Sequence, residues 1–586
     1  PTVSRLISIR LMIAPINYLL VLLLLQIHTP FLTLASPSPT HPHVLYILAD
    51  DLGWRYVDWH RTDLVNQTLT PNLHQLLRTG VELDRLYSFK YCSPSRSSIQ
   101  TGRNPISVNV QNVVPEVSNA KDPIGGYQGI PTEMTGIASI LQSQGYSTNL
   151  IGKWDVGMAT SLHHPRARGY DTWLGYWHHS NDYWTHTEET CNGTAVFDLW
   201  RYNATFDGPA LEHQNGPACS QSNQAPAGEK CVYEESLLTD SVIEVVKNHD
   251  LTNVARPLFL FWSMHLVHMP LQVPEEYLAK YKNIKDAQRR SMTAMVHYLD
   301  DDVQRVLEVL HARDMYKNTL IIVHSDNGGE IMGAGICGGN NWGFNSVDNR
   351  GLRGGKFSNF EGGIRVNGFI SGGVLPLKVR GRRIDTLFTI WDFYATIGEG
   401  ILGVDITDHR AAAAGLPAHD SINQWPLVTG SNETSRRTSM FIGETSALSP
   451  NSDGRTLVGG LIQGRLKILL GAPDRFHTIS QNVLTGPNWP NVTSHLVPLL
   501  HLKTCGRDPT KGCLFDIYDD PTESHNLANV NASMRNTFLK MLARVDAMQA
   551  ESTFVYSPVR GTVDKRACEV SHEKYNGYWG PFIVGV

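Results

Sequence analysis

Three short apolar runs, Val44-Leu45-Tyr46-Ile47-Leu48, Leu258-Phe259-Leu260-Phe261-Trp262 and Leu320-Ile321-Ile322-Val323, constrain this chain more than any other feature. Each is too continuously apolar for a strand with one wet face, and each is short and rich in β-formers. They read as strands buried on both faces, as in parallel sheets. Helical patterns lie between them. Thr70 and Pro71 supply an N-cap and a first-turn proline, Leu73, Leu76 and Leu77 share a face, and Gly80 stops the helix. Ile137, Ile140 and Leu141 repeat the pattern before Gly145, and Met295, Leu299, Val303, Val306 and Leu310 line one stripe of a longer helix near 292–313. This alternation predicts an α/β fold with a large, mostly parallel sheet flanked by helices.

Each strand ends in polar residues that folding does not require. The first runs into Asp50-Asp51-Leu52-Gly53, the third into Ser325-Asp326-Asn327-Gly328-Gly329, and the second leads to His265 and His268. Ligands of open α/β sheets bind beyond the carboxyl ends of strands, so these groups are candidates for one crevice. Asp50, Asp51, Asp326 and the amide oxygen of Asn327 make a hard, oxygen-only set that suits Ca²⁺, or else Mg²⁺, much better than Zn²⁺. Either acidic segment alone reads rather as a turn or a helix cap, and it is together with Cys92 that they favour a metal. His265 reads as structural.

The segment Cys92-Ser93-Pro94-Ser95-Arg96 places a thiol beside small residues, a rigid proline and a fixed cation at the start of a short helix. Anions favour such a place, because free N–H groups and the helix dipole point at it. Alone, it reads equally as a cysteine in a polar turn. Lys153, in Ile151-Gly152-Lys153-Trp154, and Lys356, in Leu352-Arg353-Gly354-Gly355-Lys356, are further candidate cations, although a lone lysine near glycine is usually solvated.

Continued to Thr101-Gly102-Arg103, the cysteine segment resembles the signature of the type I sulfatases, Cys-x-Pro-Ser-Arg followed by Thr-Gly-Arg. The resemblance covers nearly the whole mature chain. Asp50 to Trp54, Gly152-Lys153-Trp154, His268 with Pro270 to Tyr277, Ser325 to Gly329, Glu361-Gly362-Gly363, and Leu514-Phe515-Asp516 with Asp520-Pro521 and Asn526-Leu527 are similar to the arylsulfatase B group. It implies the alkaline-phosphatase-like sulfatase fold with a smaller C-terminal α+β domain. It also implies that a formylglycine-generating enzyme converts Cys92 to formylglycine, whose hydrate is a self-regenerating nucleophile. Asp50, Asp51, Asp326, Asn327 and residue 92 would then bind Ca²⁺, and Arg96 would support the hydrate. Lys153, His268 and Lys356 would hold the sulfate, with His268 also able to protonate the leaving oxygen. One departure stands out: the family usually reads Gly-Lys-Trp-His, and this chain has Asp155 there. A carboxylate can still serve as the base of the elimination step, but it carries no positive charge and repels sulfate. The implied activity is removal of sulfate from a sulfated sugar, with the 4-sulfate of N-acetylgalactosamine in chondroitin or dermatan sulfate as the specific expectation. An aryl sulfate is the simple model substrate.

Two readings of other classes stay open at this point. Asp155 motivates a catalytically weakened binder of sulfated glycans. A phosphatase or phosphodiesterase of the same superfamily would typically carry Ser or Thr as nucleophile and His-rich metal ligands, which Cys92 and the oxygen set oppose.

Composition limits partners and place. Fifty basic residues meet 55 acidic ones for a net charge of −5, so no broad basic face for nucleic acid or a polybasic membrane contact is implied. Arg5 and Arg10, the apolar run through Leu19 to Leu25, and Thr33-Leu34-Ala35 read as a signal peptide over 1–35, leaving no stable membrane span once it is removed. The chain starts at Pro1, so it is either incomplete or begins later, for instance at Met12. Sequons at Asn66, Asn192, Asn203, Asn432, Asn491 and Asn531 fit the secretory pathway, and 24 histidines lean towards lysosomal or extracellular acidic use. Of eight cysteines, setting Cys92 aside leaves an odd number, so at least one stays free or pairs between chains. Cys505 and Cys513 are close enough to close a small loop, and Cys191, Cys219 and Cys231 share a surface insertion spanning about 178–232. The expected organisation is a catalytic domain over 41–404, a linker over 405–437 and a smaller domain over 438–586. In that smaller part Met440-Phe441-Ile442-Gly443, the stretch 461–470 with a turn at Gly464, and Cys513 to Tyr518 read as strands. A helix with Met534, Phe538, Met541, Leu542, Val545 and Met548 on one face follows.

Overall fold

The computed structural model describes residues 41–583 except 61–69, 109–113, 123, 192, 286, 333–335, 338–351, 446–456, 472–503 and 552–560. The expected signal peptide and the sequons at Asn66, Asn192 and Asn491 lie outside the described residues. His41–Asp250 with Arg256–Val586 pack as one unit, and Leu251–Ala255, taken alone, is a short stretch of bends and turns.

The three apolar runs form the centre of a ten-stranded sheet. In chain order its strands are β1 His43–Ala49, β2 Val81–Leu83, β3 Ser147–Gly152, β4 Thr172–Gly175, β5 Trp200–Tyr202, β6 Asp207–Pro209, β7 Leu258–Ser263, β8 Thr319–Ser325, β9 Gly368–Ser371 and β10 Arg382–Ile384. They lie side by side as β6-β5-β4-β3-β7-β1-β8-β9-β2-β10. The central run from β4 to β8 is parallel. Both flanks turn antiparallel, β5 and β6 on one side and β9 against its neighbours on the other. Every residue of β1, β7 and β8 is buried, which is why these runs need no polar alternation.

Helices cover the sheet: α1 Pro71–Arg78, α2 Cys92–Thr101, α3 Ile137–Ser143, α4 Glu234–Asn248 and α5 Ala287–Ala312. The apolar stripe of α5 is buried as its spacing demands. The start of α1 differs from expectation. The Thr70 hydroxyl pairs with Asp58, accepting from its amide and donating to its carboxylate. The free N–H groups of Asn72 and Leu73 are satisfied by the Asp300 carboxylate of α5, at 3.1 and 2.8 Å. The cap is tertiary, and the local sequence does not contain it.

The insertion over 178–232 is not a surface feature throughout. It donates β5 and β6 to the sheet edge, and His178, Asn181, Tyr183, Trp184 and His186 are buried. Its polar residues satisfy one another inside: His178 Nδ1 lies 2.8 Å from Asp198, and Asn181 donates to Glu234 at 2.8 Å. Polarity there marks an internal network rather than exposure.

A second, antiparallel sheet follows the order β11 Ser439–Thr445, β12 Leu457–Gln463, β13 Leu466–Leu470, β14 Cys513–Asp516. Gly464, at φ 57°, makes the expected turn. Helix α6, Ala532–Glu551, lays Phe538, Met541, Leu542 and Val545 against it. This core also takes in Phe89, Tyr91 and Ile106, which flank α2, whereas Ile99 of α2 belongs to the core of the large sheet. Helix α2 is thereby fixed from two directions. A buried Lys467 joins the parts further, 3.1 Å from Glu361 and 2.9 Å from Glu523.

Cys505 pairs with Cys513 and Cys219 with Cys231. Cys191 leaves the insertion to pair with Cys568, so the end of the chain is tied to the large-sheet body, where Thr562–Val563 also pairs with Val117–Ser118. Cys92 is a free, buried cysteine.

Candidate functional site

The carboxyl ends of β1, β3, β7 and β8 converge with the first turn of α2. Asp50 and Asp51 follow β1, Asp326 and Asn327 follow β8, Lys153 follows β3, His268 lies beyond β7, and Cys92 opens α2. All of these, with Arg96, Asp155 and Lys356, are buried. Two glycines allow the approach. At Gly152 a Cβ would sit 1.9 Å from the Ser263 carbonyl oxygen, and at Gly329 it would meet Gly53 Cα at 2.9 Å, so the loops can touch only as bare backbone.

The contacts form two linked groups. Asp50 Oδ2 takes Lys153 Nζ at 2.7 Å and Arg96 Nη2 at 3.1 Å, while Cys92 Sγ lies 3.7 Å from Asp50 Oδ1. Arg96 also binds Asp326 and donates to Ser263 Oγ at 2.6 Å. Asp51 Oδ2 takes Lys356 Nζ at 2.8 Å, and the same ammonium donates to His268 Nε2 at 2.9 Å. Asp51 stands in the left-handed region at φ 58° and accepts from Asn327 Nδ2 at 2.6 Å. Every predicted site residue thus lies in one buried cluster, while His265, read as structural, packs on Tyr183 and lies 2.7 Å from Glu234.

Burial and charge oppose each other here. Burial alone would raise the Asp50 carboxyl, but Lys153 and Arg96 hold it well below the usual carboxylate range. Burial and the neighbouring Asp50 charge push Asp326 up to about 7. Burial drives the Cys92 thiol well up, so as a cysteine it would be a protonated, poor nucleophile. Burial, then Lys356, depress His268 far below its ordinary value, so the ring is neutral. Its Nδ1 lies 2.7 Å from the Met269 carbonyl, which places the ring hydrogen on Nδ1 and leaves Nε2 as acceptor.

The oxygen set fits a hard cation. Asn327 spends its Nδ2 on Asp51 and Gly328, whereas its Oδ1 is buried with no hydrogen-bond partner among the described residues. A buried amide oxygen without a donor costs stability unless something occupies it. Asp50, Asp51, Cys92 and His268 each bring one ligand atom within 4.8 Å of the others. Three carboxylates, that amide oxygen and residue 92 could hold one divalent ion.

Sequence reasoning missed His179, whose Nδ1 lies 2.7 Å from Asp155 Oδ1. It also missed Glu330, buried near Lys356 and Asp51 and pushed up to about 7 by burial. His179 sits in the polar stretch read as an insertion, where nothing in the local pattern distinguishes it from its neighbours.

A sulfatase family model matches residues 42–401. Among curated proteins, arylsulfatase J of Mus musculus is 32% identical over 376 residues, covering 63% of this chain and 55% of that protein. N-acetylgalactosamine-6-sulfatase of Homo sapiens is 26% identical over 332 residues, covering 56% of this chain and 57% of that protein. The chain therefore matches little more than half the length of these relatives. Among solved structures, Ps i-CgsB in complex with k-i-k-neocarrahexaose has a TM-score of 0.64 at 21% identity, covering 92% of this chain and 99% of that one, and so shares the fold. With the matched segment spanning the large sheet and the residues gathered around Cys92, the chain belongs to the sulfatase family.

Proposed function

We propose that this protein is a sulfuric ester hydrolase that removes sulfate from a sulfated sugar after Cys92 has been converted to formylglycine. The observation that carries the reading is the buried convergence of Cys92 with Asp50, Lys153, Arg96, His268 and Lys356. An unmodified thiol in that place would be protonated and inert, whereas the cations around it suit an anionic ester. Converted to formylglycine, residue 92 supplies an aldehyde hydrate whose hydroxyl is the nucleophile. Asp50, Asp51, Asp326, Asn327 and residue 92 would hold Ca²⁺, which supplies Lewis acidity and charge neutralisation.

The chain's own residues do the rest. Lys153 and Lys356 neutralise the sulfate's non-bridging oxygens as charge redistributes at sulfur. Arg96 fixes Asp50 and Asp326, and so the ground on which residue 92 stands. Lys356 donates into His268 Nε2, and the proton it holds there is the one that passes through that nitrogen to the leaving sugar oxygen, leaving the Lys356 amine neutral. Asp155 is the acceptor for the proton given up when sulfate is released.

N-acetylgalactosamine 4-sulfate is the specific substrate of the proposal, and the 6-sulfate is its first competitor, given the similarity to a 6-sulfatase. The secretory pathway, lysosomal or extracellular, is the proposed location, which disulfides in the described chain support. The division into 41–404 and 438–586 through a linker over 405–437 belongs to the same proposal.

The test is mass spectrometry of the tryptic peptide Tyr91–Arg96 from secreted protein, joined to a side-by-side assay of aryl sulfate and aryl phosphate. The reading requires an aldehyde at 92 and sulfate turnover that Cys92→Ala abolishes. An intact thiol with no turnover would leave the glycan binder that Asp155 motivates, and preferential phosphate release would point to the phosphatase alternative.

A further inference from the structure

Asp155 stands where the family usually carries histidine, in the left-handed region at φ 53°, directly after Lys153 and Trp154. Its Oδ1 accepts the Ser93 hydroxyl at 2.9 Å and lies 2.7 Å from His179 Nδ1. Its Oδ2 is buried without a hydrogen-bond partner among the described residues, 3.8 Å from Lys153 Nζ. Ser93 follows Cys92 in the first turn of α2, so the carboxylate borders the reacting position.

A carboxylate here meets two difficulties that an imidazole does not. It must be oriented so that one oxygen faces the reaction, and its charge opposes an anionic substrate. One side chain answers both. His179 meets Oδ1 at ion-pair distance, leaving Oδ2 as the acceptor, and it sets an ionisable ring behind the carboxylate. Lys153 and Arg96 also face Asp155, and Glu116 faces His179. Burial works against the Asp155 charge, but His179 and Lys153 more than offset it and keep the carboxyl below its usual range.

We propose that His179 is a positioning residue for Asp155: it fixes the carboxylate through Oδ1 so that Oδ2 takes the proton when sulfate is released, and it offsets the carboxylate's charge. The proposal rests on the sulfatase reading. In that step one hydroxyl hydrogen of residue 92 moves to Oδ2, the O–H electrons form the carbonyl, and the C–O pair departs with sulfate. Asp155 and His179 together thus replace the single histidine of the family pattern.

A cycle of wild type, His179→Ala, Asp155→His and the double variant tests this with an aryl sulfate. His179→Ala should lower kcat by about 10-fold or more with KM nearly unchanged, as for other groups that orient a reacting side chain. With Asp155→His in place, the same His179→Ala change should cost less than about 2-fold, because the two residues are coupled and the imidazole at 155 needs no anchor. A second readout needs no turnover: in the Cys92→Ala protein, His179→Ala should raise the NMR titration midpoint of the Asp155 carboxyl, which His179 helps to hold below its usual range. Equal losses in both backgrounds, or an Asp155 midpoint unmoved by His179→Ala, overturn the pairing. A wild type without aldehyde at 92 or without sulfate turnover overturns the sulfatase reading instead, and the NMR result then decides the pair alone.

Discussion

Arg96 holds Asp326 through two nitrogens of its fork, Nε at 2.9 Å and Nη2 at 2.8 Å, with both side chains almost wholly out of solvent. The same guanidinium reaches Asp50 and Ser263, so one cation organises residues from three strand ends. Removing one partner of a buried pair leaves the others uncompensated. Arg96→Ala is therefore expected to destabilise the protein by about 3–5 kcal/mol, and Arg96→Lys by less but with loss of the forked geometry. Denaturant unfolding of the three proteins measures this; an unshifted midpoint in Arg96→Ala would refute the structural role.

Metal binding should register as stability. If Asp50, Asp51, Asp326 and Asn327 form the hard site, Ca²⁺ at 100 times its dissociation constant raises unfolding free energy by about 2.7 kcal/mol. Calorimetric melting with Ca²⁺ and with a chelator reads the difference. The gain should shrink sharply in Asp326→Asn and Asn327→Ala, and persistence of the full gain in both would place the ion elsewhere.

The role given to His268 predicts a dependence on leaving group. A sugar alcohol needs a proton as it departs, whereas an acidic phenol does not. His268→Asn should thus cost about 10²–10⁴ in kcat on a sulfated sugar and much less on a nitrophenyl sulfate. Equal losses on both substrates would assign His268 to sulfate binding alone.

His163 gives a stability signature with a definite sign. It is fully buried against Tyr127, and burial, then Arg168, lower its pKa to about 3. The unfolded chain therefore binds a proton at this ring that the folded chain refuses, so stability falls as pH drops below the ordinary histidine value near 6.5. Between about pH 6 and pH 4 the contribution is about 1.4 kcal/mol per pH unit. His163→Gln should flatten the pH dependence of unfolding by that slope relative to wild type; parallel curves would show that the ring titrates freely.

Much of this is legible in the sequence itself. The runs at 44–48, 258–262 and 320–323 declare themselves because central strands have no wet face, and the acidic residues after them mark the site because strand ends are where loops must converge. The antiparallel flanks were not legible, since β2, β5 and β6 are three residues each and carry too little period to read. The Asp300 cap on α1 and the Cys191–Cys568 link join residues hundreds of positions apart, and no local rule reaches that far. His179 escaped for a related reason: a polar ring becomes part of a site only through a partner that the chain brings from elsewhere.

Cys92 has none of its surface open, and α2 is clasped on one side by the large sheet's core and on the other by the small sheet's. Any enzyme that rewrites this side chain must therefore meet it on a chain that has not yet closed. The opportunity for that chemistry is an interval in time, set by how quickly the two cores consolidate, and a sequence change that hastens packing would leave mature protein with its thiol untouched.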